Sequence, residues 1–314
     1  MRILVTGGGG FIGSNFIEHV LENYDDEIEA LANLDCLTYA TNEKNCESFM
    51  EYEKYSFRHV DITRGPQVND IFRRFKPTHV IHLAAETHVD NSIKNDKVFI
   101  ETNVLGTHNL LTASINNKVK RFHHVSTDEV YGSLGESGKF KETTPYDPRN
   151  PYSASKAASD HLVRAYYHTF NLGITISNCS NNYGPKQHKE KFIPTILNSL
   201  KGGKKIPVYG EGRNIRDWIY VEDHCEALWK ILTEGKIGET YNVGSNCEKT
   251  NLDVIKAICV AVGVDFLTSI EFVKDRLGHD FRYAINASKM RSKLLWKPKY
   301  SFTKGIKKTI DYYA

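Results

Sequence analysis

Residues 2–13 read RILVTGGGGFIG, a short and almost wholly apolar run that breaks into four consecutive glycines and then into a helix-like pattern. No other stretch of the chain restricts its fold so strongly. A near-continuous apolar run fits a central strand covered on both faces. Within Thr6-Gly-Gly-Gly-Gly-Phe-Ile-Gly13 the spacing gives three glycines separate tasks. Gly7 permits the tight turn, Gly10 leaves the backbone open to a pyrophosphate, and Gly13 lets the following helix pack closely on the strand. The helix start, with Phe11 and Ile12 in its first turn, would offer free N–H groups and the positive end of its dipole to phosphates. Asp35 stands 22 positions beyond Gly13, at the end of the second apolar run. A carboxylate there can accept hydrogen bonds from the adenosine ribose and repels a 2′-phosphate. Strand, loop, helix and acid in that order point to a dinucleotide, and to NAD over NADP.

The rest of the first half repeats the same alternation. Short β-rich runs at Arg2–Thr6, Ile28–Leu34, Ser56–Val60, His79–Ala84, Arg121–Ser126 and Gly173–Ser177 are separated by helix-like segments at Phe11–Glu22, Gln67–Phe75, Phe99–Asn116 and Tyr152–Phe170. Strands alternating with helices predict a parallel sheet covered on both faces, a Rossmann-type doubly wound α/β fold. Beyond residue 177 prolines and glycines break the pattern, leaving a strand at Trp218–Val221 and helices at Asp223–Thr233, Asn251–Val262 and Lys304–Tyr313. No tether separates the halves, so the second, smaller α/β domain is expected to be interleaved with the first. The expected division is 1–177 with 215–245 for the dinucleotide, and 178–214 with 246–314 for the substrate.

Bulk properties remove several classes of function. The formal charge of the 314 residues is only +3, with no block of five or six like charges, so neither nucleic acid nor an acidic membrane is expected as a partner. No apolar segment approaches the roughly 20 residues that span a bilayer. The six cysteines are scattered without a CxxC pair, and the histidines share no metal-like spacing, so no metal site and no disulfide framework are expected. The apolar run at the N-terminus is too short for a signal peptide, which makes the cytoplasm the expected compartment.

Tyr152-Ser-Ala-Ser-Lys156 places a phenol and an ammonium four residues apart, on one face of a helix. Two surface residues would show the same spacing. After the fifth strand of such a sheet, however, the pair falls near the carboxyl edge where ligands bind. A nearby cation lowers a phenol's pKa and lets it act as a base nearer neutral pH. Just upstream, HVSTDEVYG puts Asp128 and Glu129 side by side where a strand runs into a loop. Adjacent side chains on a continuing strand face opposite ways, whereas a loop can aim both at one ligand.

With TGGGGFIG, Asp61-Ile62, Leu83-Ala84-Ala85 and YSASK in hand, the chain resembles the extended branch of the short-chain dehydrogenase/reductase family over essentially its whole length. The resemblance implies NAD in the Rossmann domain and a nucleotide-sugar in the smaller one. It also implies a tyrosine that exchanges a proton with a sugar hydroxyl while hydride moves to or from nicotinamide. Within that branch, Ser-Thr-Asp-Glu-Val-Tyr-Gly is similar to the dTDP-glucose 4,6-dehydratases; related 4-epimerases usually lack both acids, and UDP-xylose-forming decarboxylases typically keep only the Glu. Oxidation at C4 of a hexose acidifies the C5 hydrogen, and loss of the C6 hydroxyl then needs a proton donor. Two close carboxyls of different protonation state suit that elimination. By resemblance Tyr152 is the base at O4 with Thr127 and Lys156 assisting, Asp128 the acid at the C6 oxygen, and Glu129 the base at C5. Hydride returns to C6, NAD is regenerated, and dTDP-4-keto-6-deoxyglucose would feed deoxysugar synthesis such as that of dTDP-rhamnose.

The same resemblance assigns Thr38, Thr102 in ETNVLGT and Asn182 to the cofactor, with the residues already named. It assigns Thr87 in LAAETHVDNSI, Asn181, Lys191, Tyr209, Arg216, Asn251, Arg276 and His279 to the substrate. It implies a homodimer through Phe99–Asn116 and Tyr152–Phe170. Lys186, His188 and Lys189 depart from the family pattern, as does Phe281, all near the expected substrate rim. UDP-glucose dehydration, nucleotide-sugar 4-epimerisation and a catalytically silent NAD sensor are the competing readings. The sensor is disfavoured because both Tyr152 and Lys156 are kept.

Overall fold

The computed structural model describes residues 1–275 and 280–314. Six strands fill the first half: β1 (Arg2–Thr6), β2 (Ala30–Asp35), β3 (Tyr55–His59), β4 (His79–His82), β5 (Arg121–Thr127) and β6 (Ile174–Cys179). Six more follow: β7 (Asn181–Tyr183), β8 (Ile206–Tyr209), β9 (Ile215–Tyr220), β10 (Thr240–Val243), β11 (Glu248–Thr250) and β12 (Ile270–Val273). The main sheet has the order β10-β6-β5-β4-β1-β2-β3, and every pairing in it is parallel. Strand order reverses between β1 and β4, where Thr6 lies opposite His82. The carboxyl edge at such a reversal opens a crevice in which ligands of doubly wound sheets bind.

Alternation along β1 shows why the sheet needs two covers. Ile3 and Val5 pack with Phe16, Val20 and Leu21 of the Phe11–Asn23 helix and with Leu228 and Trp229 of the Val221–Glu234 helix. Leu4 points the other way, towards Val68, Phe72, Leu110, Leu111 and Val163. Burying one such side chain contributes about 1.5–3 kcal/mol. A separate core of Ile193, Ile196, Trp218, Tyr220, Val254, Ile258 and Phe302 holds the smaller unit. There β9 lies between β7 and β11, and β8 pairs with β12.

Several expected elements shift for identifiable reasons. The second strand begins at Ala30 because the N–H of Ile28 closes a turn onto the carbonyl of Asp25 (3.1 Å). The fourth ends at His82, since the N–H of Ala84 bonds the side-chain hydroxyl of Thr6 (3.2 Å) rather than a backbone carbonyl of the neighbouring strand. The expected Phe99–Asn116 helix opens as a π-helical segment, Ile100–Gly106, before its α-helical part, Thr107–Asn116. Residues 215–220, grouped by sequence with the dinucleotide domain, form β9 of the small three-stranded sheet. Their pairing partners are Asn181–Tyr183 and Glu248–Thr250, and only the following helix and β10 return to the main sheet.

The packing of the first helix on its strand is set by one contact. A methyl group added at Gly13 would meet the carbonyl oxygen of Gly7 at 2.2 Å, a backbone atom that has no room to move. At Gly135 an added methyl meets nothing within 4 Å. Gly13→Ala should therefore cost about 1–3 kcal/mol in urea unfolding, and Gly135→Ala should stay within about 0.5 kcal/mol of the parent chain. Equal effects of the two would remove the close-packing account.

Candidate active site

The cofactor side of the crevice is built on the glycine loop. Gly7 sits at φ +75°, and an added methyl there would lie 2.7 Å from the backbone of Ala84. A methyl at Gly10 would meet only the Gly7 carbonyl oxygen, at 3.3 Å, which leaves open space above the loop. The Phe11–Asn23 helix starts at Gly10 with no side-chain cap and no acid in its first turn, so the donors of Phe11, Ile12 and Gly13 and the positive dipole end are left for an anion. The next loop folds against it. Gly8 donates to Asn33 Oδ1 (3.0 Å) and Gly9 to Asp35 Oδ2 (2.8 Å). Asp35 Oδ1 accepts from the N–H of Leu37 (2.8 Å) and the hydroxyl of Thr41 (3.3 Å). Asp35 thus arrives at the expected strand end already shaping its own loop, Oδ1 accepting two bonds and Oδ2 one, which leaves one acceptor position on Oδ2. Thr38 is exposed, and the threonine that reaches Asp35 is Thr41. Asp61 Oδ1 caps its turn by accepting from Thr63 (2.8 Å), while the Ile62 side chain is buried beneath Gly106. Leu83, Ala84 and Ala85 lie partly buried just past β4, and Thr102 lies in the π-helical segment. These donors, the open loop and the carboxylate fit a dinucleotide.

At the end of β5 the chain turns at once. Thr127 caps a 3-10 turn, Asp128–Tyr131, by accepting from the N–H of Glu129 (3.3 Å), and Asn178 Nδ2 holds the Thr127 carbonyl (3.0 Å). The turn breaks strand alternation and brings Asp128 and Glu129 to one place. Their environments differ. Asp128 is 2% exposed, and its Oδ2 has no hydrogen-bond partner among the described residues. Burial, then the charges of Glu129 and Asp217, pushes its carboxyl well above the usual range, against Arg216. Burial raises Glu129 too, but Arg216, Lys191 and a hydrogen bond from Asn150 act in the opposite direction. Both carboxyls are therefore pushed up, Asp128 well above the usual range and Glu129 against the opposing pull of two cations and an amide.

Tyr152 and Lys156 lie on the Pro151–Phe170 helix, which opens with Pro151 and a capping box between Asn150 and Ser153. Both are buried, at 8% and 4% exposure. Burial and then the charge of Glu129 push the Tyr152 phenol well above its ordinary value, while a hydrogen bond from Thr127 pulls it down. The expected effect of Lys156 on that phenol is not among the leading influences: the ammonium donates to the Val125 carbonyl instead (2.9 Å).

Beside this group runs a cleft of about 320 Å³. Thr87, Asn181, Lys191, Tyr209, Arg216 and Asn251 all line it, together with Glu129, Asn150 and Asn182. The Arg216 guanidinium stacks on Tyr283 (4.3 Å to the ring centroid) and donates to the carbonyls of Ile215 (2.8 Å), Asp280 (3.0 Å) and Phe281 (3.3 Å). No carboxylate neutralises it through those bonds. Lys191 Nζ donates to the Thr87 carbonyl (3.2 Å), and Asn181 Oδ1 is buried without a partner among the described residues. Asn182 is shared differently, its Oδ1 bound to His224 Nδ1 (2.8 Å). Arg276 and His279 lie outside the described residues.

Sequence reading missed Asn150, Tyr283 and Asp217. Asn150-Pro151 is a helix-start pattern that could have marked the first; the other two reach the site only through tertiary pairing. The departure at Lys186 has a structural explanation. Its ammonium crosses to Glu18 Oε2 (2.9 Å), the Asn45 carbonyl (3.0 Å) and Ser48 Oγ (3.4 Å), and its backbone adopts φ +68°.

The family model described as GDP-mannose 4,6 dehydratase matches residues 4–309. The chain is 48% identical to the dTDP-glucose 4,6-dehydratase of Neisseria gonorrhoeae, over 99% of its own length and 95% of that protein. Among solved structures it is similar to DesIV (dTDP-glucose 4,6-dehydratase) from Streptomyces venezuelae with NAD and TYD bound. That match has a TM-score of 0.96, 42% identity, and coverage of 100% of this chain and 97% of the other. The UDP-glucose 4-epimerase of Thermus thermophilus in complex with NAD matches with a TM-score of 0.90 and 31% identity, over 100% and 99% of the two chains.

Keeping a carboxyl neutral costs stability in a predictable pH window. The unfolded chain loses the Asp128 proton at an ordinary carboxylate pH and the folded chain only well above it, so unfolding gains relative to folding as pH rises through that interval. Asp128→Asn removes the penalty. At about pH 8 the variant should be more stable than the parent by about 1.4 kcal/mol or more, the equivalent of one pKa unit. Below about pH 4, where both states keep the proton, the gain should vanish. Urea unfolding at the two pH values tests this, and a variant less stable at pH 8 contradicts it.

Proposed function

Because the chain belongs to the GDP-mannose 4,6 dehydratase family, we propose that it converts dTDP-glucose to dTDP-4-keto-6-deoxyglucose. The overall reaction is loss of water from the sugar. The cofactor is NAD, whose nicotinamide, when bound, takes hydride from C4 and returns it at C6. The fold shared with an epimerase leaves the outcome at the sugar to the side chains. The observation that carries the reading is the unlike pair in the turn after β5: a buried Asp128 pushed well up by desolvation and like charge, next to a Glu129 whose upward shift two cations oppose, both beside Tyr152.

In this reading Tyr152 receives the proton of the C4 hydroxyl, with Thr127 donating to the same oxygen. Glu129 removes the C5 proton made acidic by the C4 ketone. Asp128 gives its proton to the departing C6 hydroxyl, which leaves as water. A proton then returns to C5. Desolvation suits Asp128 to give up a proton, and Arg216 and Lys191 oppose the upward push of burial on Glu129. Arg216 and Lys191 are the cations for the diphosphate, where guanidinium bonding to two oxygens suits it. Asn251 and Tyr209 belong to the nucleotide end, Asn181 and Thr87 to the sugar, and the glycine loop with Asp35 to NAD. Arg276 and His279 belong with the nucleotide diphosphate.

We further place the protein in the cytoplasm. All six cysteines are free, as suits a reducing compartment, and no described helix is long and apolar enough to cross a membrane. Exposed Ile100 and Leu105 on the segment before Thr107 support pairing of two copies there.

Supplied with dTDP-glucose carrying deuterium at C4, the protein should release a product lighter by one water with the label at C6, read by mass spectrometry and NMR. UDP-glucose should be the poorer substrate. Asp128→Asn and Glu129→Gln should each lower kcat by about 10²- to 10⁴-fold while the nucleotide-sugar still binds. A 4-epimer of unchanged mass, or full activity in both variants, would rule the assignment out.

A further inference from the structure

Four polar residues stand one turn apart on one face of the Pro151–Phe170 helix: Tyr152, Lys156, Asp160 and Arg164. The proposed reaction uses the first two. Asp160 is entirely buried, a location a carboxylate occupies only with strong compensation. Its Oδ2 accepts from Ser126 Oγ (3.0 Å) on β5 and from the Tyr146 hydroxyl (2.7 Å), and its Oδ1 lies 3.2 Å from His124 Nε2, also on β5. Arg164 donates to the same Tyr146 hydroxyl (2.9 Å) and lies 5.1 Å from that ring's centroid.

The titratable groups facing this carboxylate come from several elements. Lys156 and Arg164 come from its own helix, His124 from β5, and Tyr146 from the preceding loop; His82 of β4 lies against His124 (5.2 Å between ring centroids). Both histidines are fully buried and pushed down, His124 to about 4, so they remain neutral at physiological pH. Hydroxyls and neutral imidazoles satisfy hydrogen bonds but supply no positive charge. Lys156 has the converse difficulty. It is buried, its ammonium donates to an uncharged carbonyl, and burial pulls it below its ordinary value while Asp160 acts first among the groups that raise it. Lys156, Asp160 and Arg164 follow one another at one-turn spacing on the helix, and the charge of Asp160 acts on both cations as Lys156 acts on it.

We infer that Asp160 is the buried counter-charge of Lys156 and a positioning residue for the Tyr152–Lys156 pair. The inference rests on the reading of that pair given above. Without Asp160, Lys156 would release its proton into a desolvated site at lower pH, and the positive charge one helical turn from the phenol would be lost with it.

The test compares the NAD-loaded Asp160→Asn enzyme with the parent across pH. Asn keeps the shape and can still accept from Ser126 and Tyr146. The alkaline limb of the kcat profile should move down by about one pH unit or more, with KM for dTDP-glucose changed less than about threefold. The tyrosinate absorption that disappears in a Tyr152→Phe control should move to higher pH in the same variant, a readout independent of turnover. Arg164→Gln, which leaves Asp160 with Lys156 as its one charged partner on the helix, should shift the alkaline limb the other way. Lys156→Met separates the two claims. If it leaves kcat intact, the catalytic reading of the pair fails. If it abolishes kcat while both Asp160→Asn and Arg164→Gln keep the parent pH profile and tyrosinate titration, whatever their Tm, only the role of Asp160 is overturned. Should Asp160→Asn not fold, the Arg164→Gln shift decides alone: an upward move supports the inference and an unmoved limb ends it.

Discussion

A parallel ladder sends the ends of all its strands to one edge, and the reversal of order between β1 and β4 leaves a gap there that no crossover helix fills. Four of the segments that line the candidate site are attached to that edge. The glycine loop follows β1, Asp35 ends β2, Leu83 to Ala85 follow β4, and Thr127 to Glu129 end or follow β5. The pairing of β1 with β4 brings Thr6 opposite His82, and the Thr6 hydroxyl bonds both the His82 ring (2.7 Å) and the N–H of Ala84 (3.2 Å). The edge is therefore held in register by side chains as well as by the ladder.

Desolvation then sets the chemistry. Asp128, Tyr152, Lys156 and Asp160 all lie at 8% exposure or less, so small differences in hydrogen bonding and neighbouring charge decide which of them carries a proton. The same burial that pushes the Asp128 carboxyl up makes it a thermodynamic burden on the fold, an exchange of stability for activity common at active sites. The charges that offset burial come from different parts of the chain. Arg216 is on β9 and Lys191 precedes the Phe192–Lys201 helix, so the smaller unit tunes acids that belong to the larger one.

Much of this was legible in the residues. Period and punctuation located the first six strands within a few positions, and the i, i+4 spacing of Tyr152 and Lys156 put both on one buried helix face. Six of the substrate residues named from motifs do line one cleft. What escaped were features created by partners distant in sequence. β10 is four residues long and acquires its identity only by pairing with β6. β9 reads as a strand but joins the small sheet because Asn181–Tyr183 and Glu248–Thr250 are its neighbours. The π-helical turn at Ile100–Gly106 leaves the Asn103 carbonyl to the hydroxyls of Thr107 (2.5 Å) and Ser159 (2.6 Å), a tertiary arrangement that no local periodicity announces. The direction of Lys156 was likewise invisible, since spacing tells which face a side chain shares and not which acceptor it finds.

The lysine at 186 bears on how the molecule can open. Its backbone holds a left-handed conformation that most side chains avoid, and its head group is stitched to the first helix and to the Glu43–Phe49 turn. The adjoining Pro185 carbonyl is held by Asn15 (3.1 Å). The strand of chain that carries Gln187, Glu190 and Lys191 into the sugar cleft is thus moored to the dinucleotide side at its root. Swinging it away would strip a largely buried ammonium of its acceptors. Any widening of the cleft is accordingly expected on the opposite bank, formed by β8 and the Asn251–Val262 helix.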